Sequence, residues 1–508
     1  MMTFRILDTW GEHDPQAKNE VFLVWDNWND FSFYTLFGIF YVDESSYKHD
    51  LGWIKIGFKG QEERDKVFHV DYIFDYIGDD YFSLGNSEVY YEELNKLSVE
   101  IRDLILIQLN DIAKKPDVFN SVKEERVVEI SFLRDLHPST ITGQYRRMAN
   151  GGAKLTPYSF RFNKGSKNDQ DGLNLLFDVI PESLPPTNIH VLIGRNGVGK
   201  TTLIDNMIHS LVVPSGVLPI QGSFYFNKIN MYDDEGNSFA NLISVSFSVF
   251  DELDLRSDEK FINGMKYSYI GLRKTKGLQS ELEIKDLNVL SAEFYESLKV
   301  CKSRGLLPRL VEALETLQSD PNFLRERFVE LIMRRELDKS EMVISTAFRR
   351  LSSGHKIILL TITTLVEKLQ EKSLLLMDEP EAHLHPPLLA AFIRSVSDLL
   401  IKTNGVAIVS THSPVILQEV PRSCVWKLRR SGDITASDRL NRESFGENVG
   451  VLTNDVFGLE VTNSGFYKML AEIVKNNDYN YDQVVHSFNN QLGSEARSIV
   501  MALIANKE

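Results

Sequence analysis

Cysteine is almost missing from this chain: 508 residues hold two, Cys301 and Cys424. They lie far apart in the sequence, so neither a disulfide framework nor a CxxC zinc site can be assembled from them, and the chain reads as reduced and cytoplasmic. Long apolar runs are missing too. The longest candidate, Ile357 to Val366, is closed by Lys356 and Glu367, well short of the roughly 20 residues that cross a bilayer. Asp8, Glu12, Asp14 and Glu20 interrupt the first thirty residues, which argues against an export signal. A membrane role would have to come through a partner. No repeat of fixed period and no low-complexity tract is present. Positive charge is in deficit, with 56 Lys and Arg against 71 Asp and Glu and a net charge of -15. Such a surface repels phosphate backbones at long range and argues against a nonspecific nucleic-acid coat. One stretch departs from this. Residues 136–168 contain no acid, and Arg146, Arg147, Lys154, Arg161, Lys164 and Lys167 are interleaved with Tyr145, Tyr158 and Phe160. The stretch reads as a solvated surface loop, with local nucleic-acid contact as the alternative.

What is present is ample core material: 43% of residues are hydrophobic and 25% charged, enough for more than one core. VFLVWD, TLFGIFYV and GWIKIGF, between residues 21 and 58, alternate as strands do. Leu94, Leu97, Ile101, Leu104, Ile105 and Leu109 then recur at helical spacing, predicting one helix of several turns. YSFRF and LNLLFDVI are further strand signals. From 251 to 345 the pattern turns helical, broken at Gly305, Pro308 and Pro321. SLLLMDE and GVAIVSTHS restore strand character among helices, which predicts an α/β fold around a mainly parallel sheet. The expected organisation is a β-rich lobe with a helical segment over 1–157, an α/β core over 158–430 with a helical insertion over 251–345, and a helical tail over 431–508.

The chemistry concentrates in that core. Gly194 to Thr201 reads GRNGVGKT, with a strand before it and a helix after it. Glycines there let successive backbone N–H groups form an anion nest, and the helix directs its positive end at the same point. Asn196, Gly197, Val198, Gly199, Lys200, Thr201 and Thr202 are the candidate nucleotide contacts. Lys200 would bridge the β- and γ-phosphates, and the Thr201 hydroxyl would be a magnesium ligand. SLLLMDEP sets Asp378 and Glu379 at the end of a buried strand, where open parallel sheets bind ligands. Asp378 suits the magnesium, and Glu379 suits the base that activates water. His412, at the end of VAIVSTH, can hydrogen-bond a γ-phosphate. His383 and His385 in EAHLHP could be a metal pair but read better as a loop facing a partner subunit. Asp79, Asp80, Asp233, Asp234 and Glu235 read as turn and surface acids.

RLSSGHK, residues 350–356, completes a pattern. GRNGVGKTT, LSSGHK, LLLMDEP, EAHLHP and STHSP occur in the order found in ATP-binding-cassette (ABC) ATPases, and the middle half of the chain resembles that family. The resemblance implies an ABC-type head with ATP and Mg2+ as cofactors and a homodimer or higher oligomer. In that dimer Ser352, Ser353 and Gly354 of one protomer close over the γ-phosphate held by the other, with Glu379 and His412 catalytic. Ser353 and His355 stand where transporters usually carry glycine and glutamine, which is similar to the soluble cassette ATPases of DNA repair and phage defence. No glutamine loop is found; ISVSFSVFDE at 243–252 occupies its place.

The interval between phosphate loop and signature is too short for the coiled-coil arm of end-bridging repair ATPases. Fewer than a hundred residues follow Pro414, with no DxD and upstream glutamate of the kind that the overcoming-lysogenization and Gabija nucleases carry in their TOPRIM domain. The chain most resembles the PtuA-type ATPases of Septu and retron-linked defence modules, on WDNWNDFSFYTLF, GWIKIGF, YSYIGLRK, ESFGENVG and NDVFGLEV. That resemblance implies a separate HNH-type nuclease partner. The alternatives are the energising subunit of a membrane transporter and a stand-alone DNA-binding clamp.

Overall fold

A computed structural model describes residues 2–10, 16–26, 33–68, 72–134, 136, 138–152, 155–165, 172–212, 222–226, 239–247, 259–262, 265–274, 283–304, 306–317, 328–332, 341–431, 434–458, 465–476 and 479–505. Strands Thr3–Leu7, Glu20–Trp25, Leu36–Val42, Lys48–Phe58, Ile73–Phe74 and Tyr81–Gly85 make a six-stranded sheet. Successive side chains on a strand point to opposite faces. Val21, Leu23, Ile39 and Tyr41 thus enter a core shared with the following helices, while Phe22, Val24, Phe40 and Val42 form a second cluster behind the sheet. The single helix expected through Leu94 and Leu109 is two, Glu88–Asn95 and Val99–Gln108. Ser98 breaks it by capping the second, its hydroxyl accepting from Ile101 N at 3.3 Å. The apolar spacing runs on across the break because both helices feed one core.

Strands Tyr158–Lys164, Leu173–Val179 and Ser223–Phe226 form a small antiparallel sheet. Its alternating Tyr158, Phe160, Phe162, Leu175 and Phe177 pack in one cluster with Leu203, Met207 and Ile208 of helix Lys200–Val212. Among the described residues the main sheet has eight strands, in the order Glu259–Ile262, Met265–Gly271, Asn241–Ser246, Leu374–Asp378, Val406–Thr411, Ile189–Ile193, Val425–Ser431 and Ile434–Asp438. The six inner strands are parallel and both edges antiparallel. Leu374, Leu376, Ile408 and Leu192 face the small-sheet side. Leu375, Met377, Val409 and Val191 face helices Leu287–Ser303, Ser353–Lys368 and Pro386–Lys402. Both faces are covered, which is why these strands read as unbroken apolar runs.

Two expectations require correction. The stretch 251–345 is not wholly helical: Glu259–Ile262 and Met265–Gly271 extend the main sheet, and Arg273–Lys274 pairs with Glu283–Ile284. In MKYSYIG, Ile270 joins one core and Tyr267 the other, a two-residue alternation too brief to stand out beside the helical periods after it. The helices begin at Leu287 and continue as Leu307–Thr316, Phe328–Ile332 and Glu341–Arg350. Nor is 431–508 wholly helical, because Ser431 ends one strand of a hairpin and Ile434–Asp438 is the other. Arg439 fixes that hairpin, lying 3.6 Å over the Trp426 ring and donating to the carbonyls of Leu176 and Val425. Helices start at Val449, and Gly465–Asn476, Tyr481–Ser487 and Ser494–Ala505 share a small core of Leu470, Val474, Val484 and Val500. Gly305, Pro321, Asp233, Asp234 and Glu235 lie outside the described residues.

The amino-terminal lobe is tied to the core by Arg147, which pairs with Glu371 at 2.5 Å, and by Thr140, which donates to Gln370. Cys301 and Cys424 are buried free thiols. No helix among the described residues is long and apolar enough to cross a membrane.

His190 sits in the strand that feeds the phosphate loop, buried against the Phe177 ring at 5.1 Å. Desolvation, then the Arg439 charge, push its pKa down to about 3. The unfolded chain therefore takes up a proton near pH 6.5 that the folded chain refuses, and stability falls as pH drops from there towards 3. The expected slope from this residue is about 1.4 kcal/mol per pH unit. Urea denaturation at pH 7 and pH 5 should show a smaller acid loss in His190→Leu than in the parent; equal losses would contradict the assignment.

Candidate functional site

Sheet register assembles the site. Asp378 pairs with Ser410, and Thr411 with Ile193, so Glu379, His412 and Gly194, each one residue beyond its strand, emerge together at the carboxyl edge. The backbone N–H of Glu379 donates to Ser410 O at 2.9 Å, holding the two corners side by side. Ligands in open parallel sheets bind at this edge.

Gly197 and Gly199 have φ of +80° and +92°, and a Cβ at either would meet nothing within 4 Å. The first fact requires glycine, and the second shows an open cradle in front of helix Lys200–Val212. Lys200 is buried, and its ammonium donates to the carbonyls of Gly194 at 3.0 Å and Arg195 at 3.2 Å. Desolvation lowers its pKa, opposed by the charges of Glu379, Asp378 and Glu381. That opposition places three carboxylates within electrostatic reach of the phosphate-loop lysine. Asn196 is exposed and Val198 buried; Thr201 is half-buried and Thr202 exposed in the first helical turn.

Asp378 is buried at its strand end. Glu379 adopts φ +45°, a conformation that costs energy outside glycine and recurs at functional sites. His412 Nδ1 lies 3.5 Å from Glu379 Oε1 and 3.3 Å from Glu381 Oε1. Glu381 escaped the sequence reading, which took EAHLHP as a partner-facing loop. Its one signal there was a third carboxylate two residues after the DE pair.

Ser352 caps helix Ser353–Lys368, accepting from His355 N at 3.3 Å, with its hydroxyl 2.6 Å from His355 Nδ1. Ser352 and Ser353 are exposed. Gly354 packs so closely on the EAHLHP loop that a Cβ would stand 2.7 Å from His383 O. His385 caps helix Pro386–Lys402, its Nδ1 accepting from Leu388 N at 3.4 Å. No group of three or more His, Cys, Asp or Glu among the described residues is placed to hold a metal, so His383 and His385 have no third ligand there. Beside Asp378 in the register stands Ser246, in the stretch that occupies the place of a glutamine loop; 248–252 lie outside the described residues.

The basic stretch is divided between elements. Arg147 is spent on Glu371, and desolvation lowers the pKa of Arg146 beside it. Arg161 and Lys164 belong instead to a strand of the small sheet; Lys154 and Lys167 lie outside the described residues. A further neighbour of the phosphate loop was not anticipated: helix Val449–Phe457. Its carboxyl end receives Arg195 on Phe457 O at 3.4 Å and Lys427 on Asp455 O, cations where a helix dipole favours them.

A phosphate loop leaving an inner strand, an acidic pair ending the strand two places away and a histidine ending the one between define an ABC-ATPase-like α/β fold. The family described as "AAA domain, putative AbiEii toxin, Type IV TA system" matches residues 312–418. Among solved structures, cbiO1 from Clostridium perfringens, part of the ABC transporter complex cbiONQ, is 18% identical, covering 53% of this chain and 84% of that one, with a TM-score of 0.27. An inward-facing conformation of a "putative metal-chelate type ABC transporter" is 13% identical, covering 59% and 89%, with a TM-score of 0.29. The chain belongs to the family of protein ea59 of Escherichia phage lambda, with which it is 38% identical over 100% of its own length and 99% of the relative's.

Proposed function

We propose that this chain is an ATP-hydrolysing switch that closes as a homodimer around two nucleotides and in that state controls a separate HNH-type nuclease in antiphage defence, in the manner of the PtuA-type ATPases. The observation that carries the ATPase half is the convergence of Lys200, Asp378, Glu379 and His412 on one sheet edge, set by the pairings Asp378 with Ser410 and Thr411 with Ile193.

Lys200 leaves its two loop carbonyls for the β- and γ-phosphates, and the cradle at Gly197 and Gly199 presents backbone N–H groups to them. The Asp378 carboxylate and Thr201 hydroxyl are hard oxygen donors beside a phosphate cradle, a set that fits Mg2+. Bound there, the cation would neutralise charge on the phosphate oxygens. Glu379 takes a proton from the attacking water, and His412 donates a hydrogen bond to the γ-phosphate. Ser352, Ser353 and Gly354, at the amino end of a 16-residue helix with its side-chain cap in place, are the surface offered in trans to the second protomer's nucleotide. Binding energy from the phosphates holds the dimer closed, and hydrolysis removes the group that holds it.

The defence half is supported by the motif pattern of the sequence. Purification of the full chain from its native host in Mg-ATP, followed by mass spectrometry of co-purifying proteins, tests it. An HNH nuclease in fixed ratio is expected. An integral-membrane permease, or a lone dimer retaining nucleic acid, would overturn it.

A further inference from the structure

We infer that Glu381 is the positioning residue of the site: it holds the His412 imidazole off Glu379, so that the catalytic carboxylate stays available for water. The inference rests on the proposed roles of Glu379 and His412 and adds a residue that neither needed.

Three contacts converge on one oxygen. Glu381 Oε1 accepts from the Thr411 hydroxyl at 2.5 Å and from the backbone N–H of His412 at 2.9 Å, and lies 3.3 Å from His412 Nδ1. Thr411 Oγ1 in turn accepts from Ser413 N at 2.8 Å. One carboxylate thus organises the corner from Thr411 to Ser413. The Glu381 side chain is 9% exposed, so these bonds are shielded from competing water. Its Oε2 is buried with no hydrogen-bond partner among the described residues. A buried carboxylate oxygen left in that state is costly, and a purely structural corner would not need a full carboxylate there.

The competitor is Glu379, whose Oε1 lies 3.5 Å from the same ring nitrogen. An imidazole Nδ1–H can be held firmly by one acceptor at a time. With the His412 backbone bonded to Glu381 and Nδ1 nearer Glu381 than Glu379, Glu379 keeps its lone pairs for the water it must deprotonate. Without Glu381, the nearest acceptor left for the ring is the catalytic base itself. Glu381 is held by backbone as well: Leu384 N donates to its carbonyl at 3.0 Å, within the turn that carries the Gly354 contact at His383. The histidine is thereby registered to the strand end of Asp378 and to the loop under the signature helix.

Glu381→Ala in the full-length protein tests this by steady-state ATP hydrolysis beside equilibrium nucleotide binding. The expected result is a kcat lower by about 10-fold or more, with ATP affinity within about twofold of the parent. A merely structural role would not reproduce the next result. In a His412→Ala background, adding Glu381→Ala changes kcat by less than about twofold, because the group that Glu381 positions is already gone. Parental kcat in Glu381→Ala, or losses that multiply across the double variant, would overturn the inference. Should Glu381→Ala not fold, Thr411→Val removes one donor from the same oxygen, and a several-fold loss of kcat that vanishes in the His412→Ala background is expected in its place. Parental turnover in Glu379→Gln would instead sink the hydrolysis reading itself, whatever Glu381 does.

Discussion

Glu379→Gln is expected to lower ATP turnover by about 10²- to 10⁴-fold, the range of a lost general base, equivalent to about 3 to 5 kcal/mol in the barrier. Glutamine matches glutamate in size and meets the same φ of +45°, so the corner after Asp378 keeps its shape. The phosphate cradle at Gly197 and Gly199 and the ammonium of Lys200 lie on a different segment and are untouched. ATP should therefore still bind, and under the proposed mechanism, in which hydrolysis releases the closed state, the variant should collect as dimer. Phosphate release measured beside light scattering in Mg-ATP reads both effects. Unchanged turnover would remove Glu379 from the mechanism, and lost turnover without dimer would separate hydrolysis from closure.

Lys200→Met should act one step earlier, weakening ATP binding by about 100-fold or more. A hydrogen bond to a charged group contributes about 1.5–3 kcal/mol, and Lys200 would make at least two to phosphate oxygens, against about 1.4 kcal/mol per tenfold in affinity. The charges that act on Lys200, those of Glu379, Asp378 and Glu381, are carboxylates and cannot take over its contact with phosphate. The free protein should tolerate the change, because the methionine stem fills the buried volume and only the two bonds to Gly194 O and Arg195 O are given up. Calorimetric titration with ATP gives the affinity, and a parental value would mean that the loop does not hold phosphate through this lysine.

The nucleotide motifs were legible because each needs an unusual residue at a fixed place. Glycine at φ +80° and +92° has few substitutes, and apolar runs such as LLLM are long only where both faces of a strand are buried. The six strands of the first sheet were partly legible for the weaker reason of alternation. What escaped depends on partners distant in sequence. Ser98 interrupts a helix without disturbing its apolar period, and Met265–Gly271 became a sheet strand only by pairing with Asn241–Ser246. Ile434–Asp438 likewise reads as the start of a tail until it is paired with Val425–Ser431. Glu381 was invisible because its role lies in reaching Thr411 and His412, thirty and thirty-one residues away. The basic stretch depends on a distant partner too. Arg147 looked available to phosphate, yet its counter-ion is Glu371, 224 residues downstream.

That last pair bears on modularity. Gln370 and Glu371 occupy the short link between the helix that begins at the signature and the strand that ends at Asp378, and the amino-terminal lobe grips both. Glu371 is only 6% exposed, so a chain begun at Tyr158 would lose both the Arg147 partner of that carboxylate and the lobe that covers it. The boundary read from the sequence is thus bridged by side-chain contacts, which reach the link between the helix begun at Ser353 and the strand that ends at Asp378.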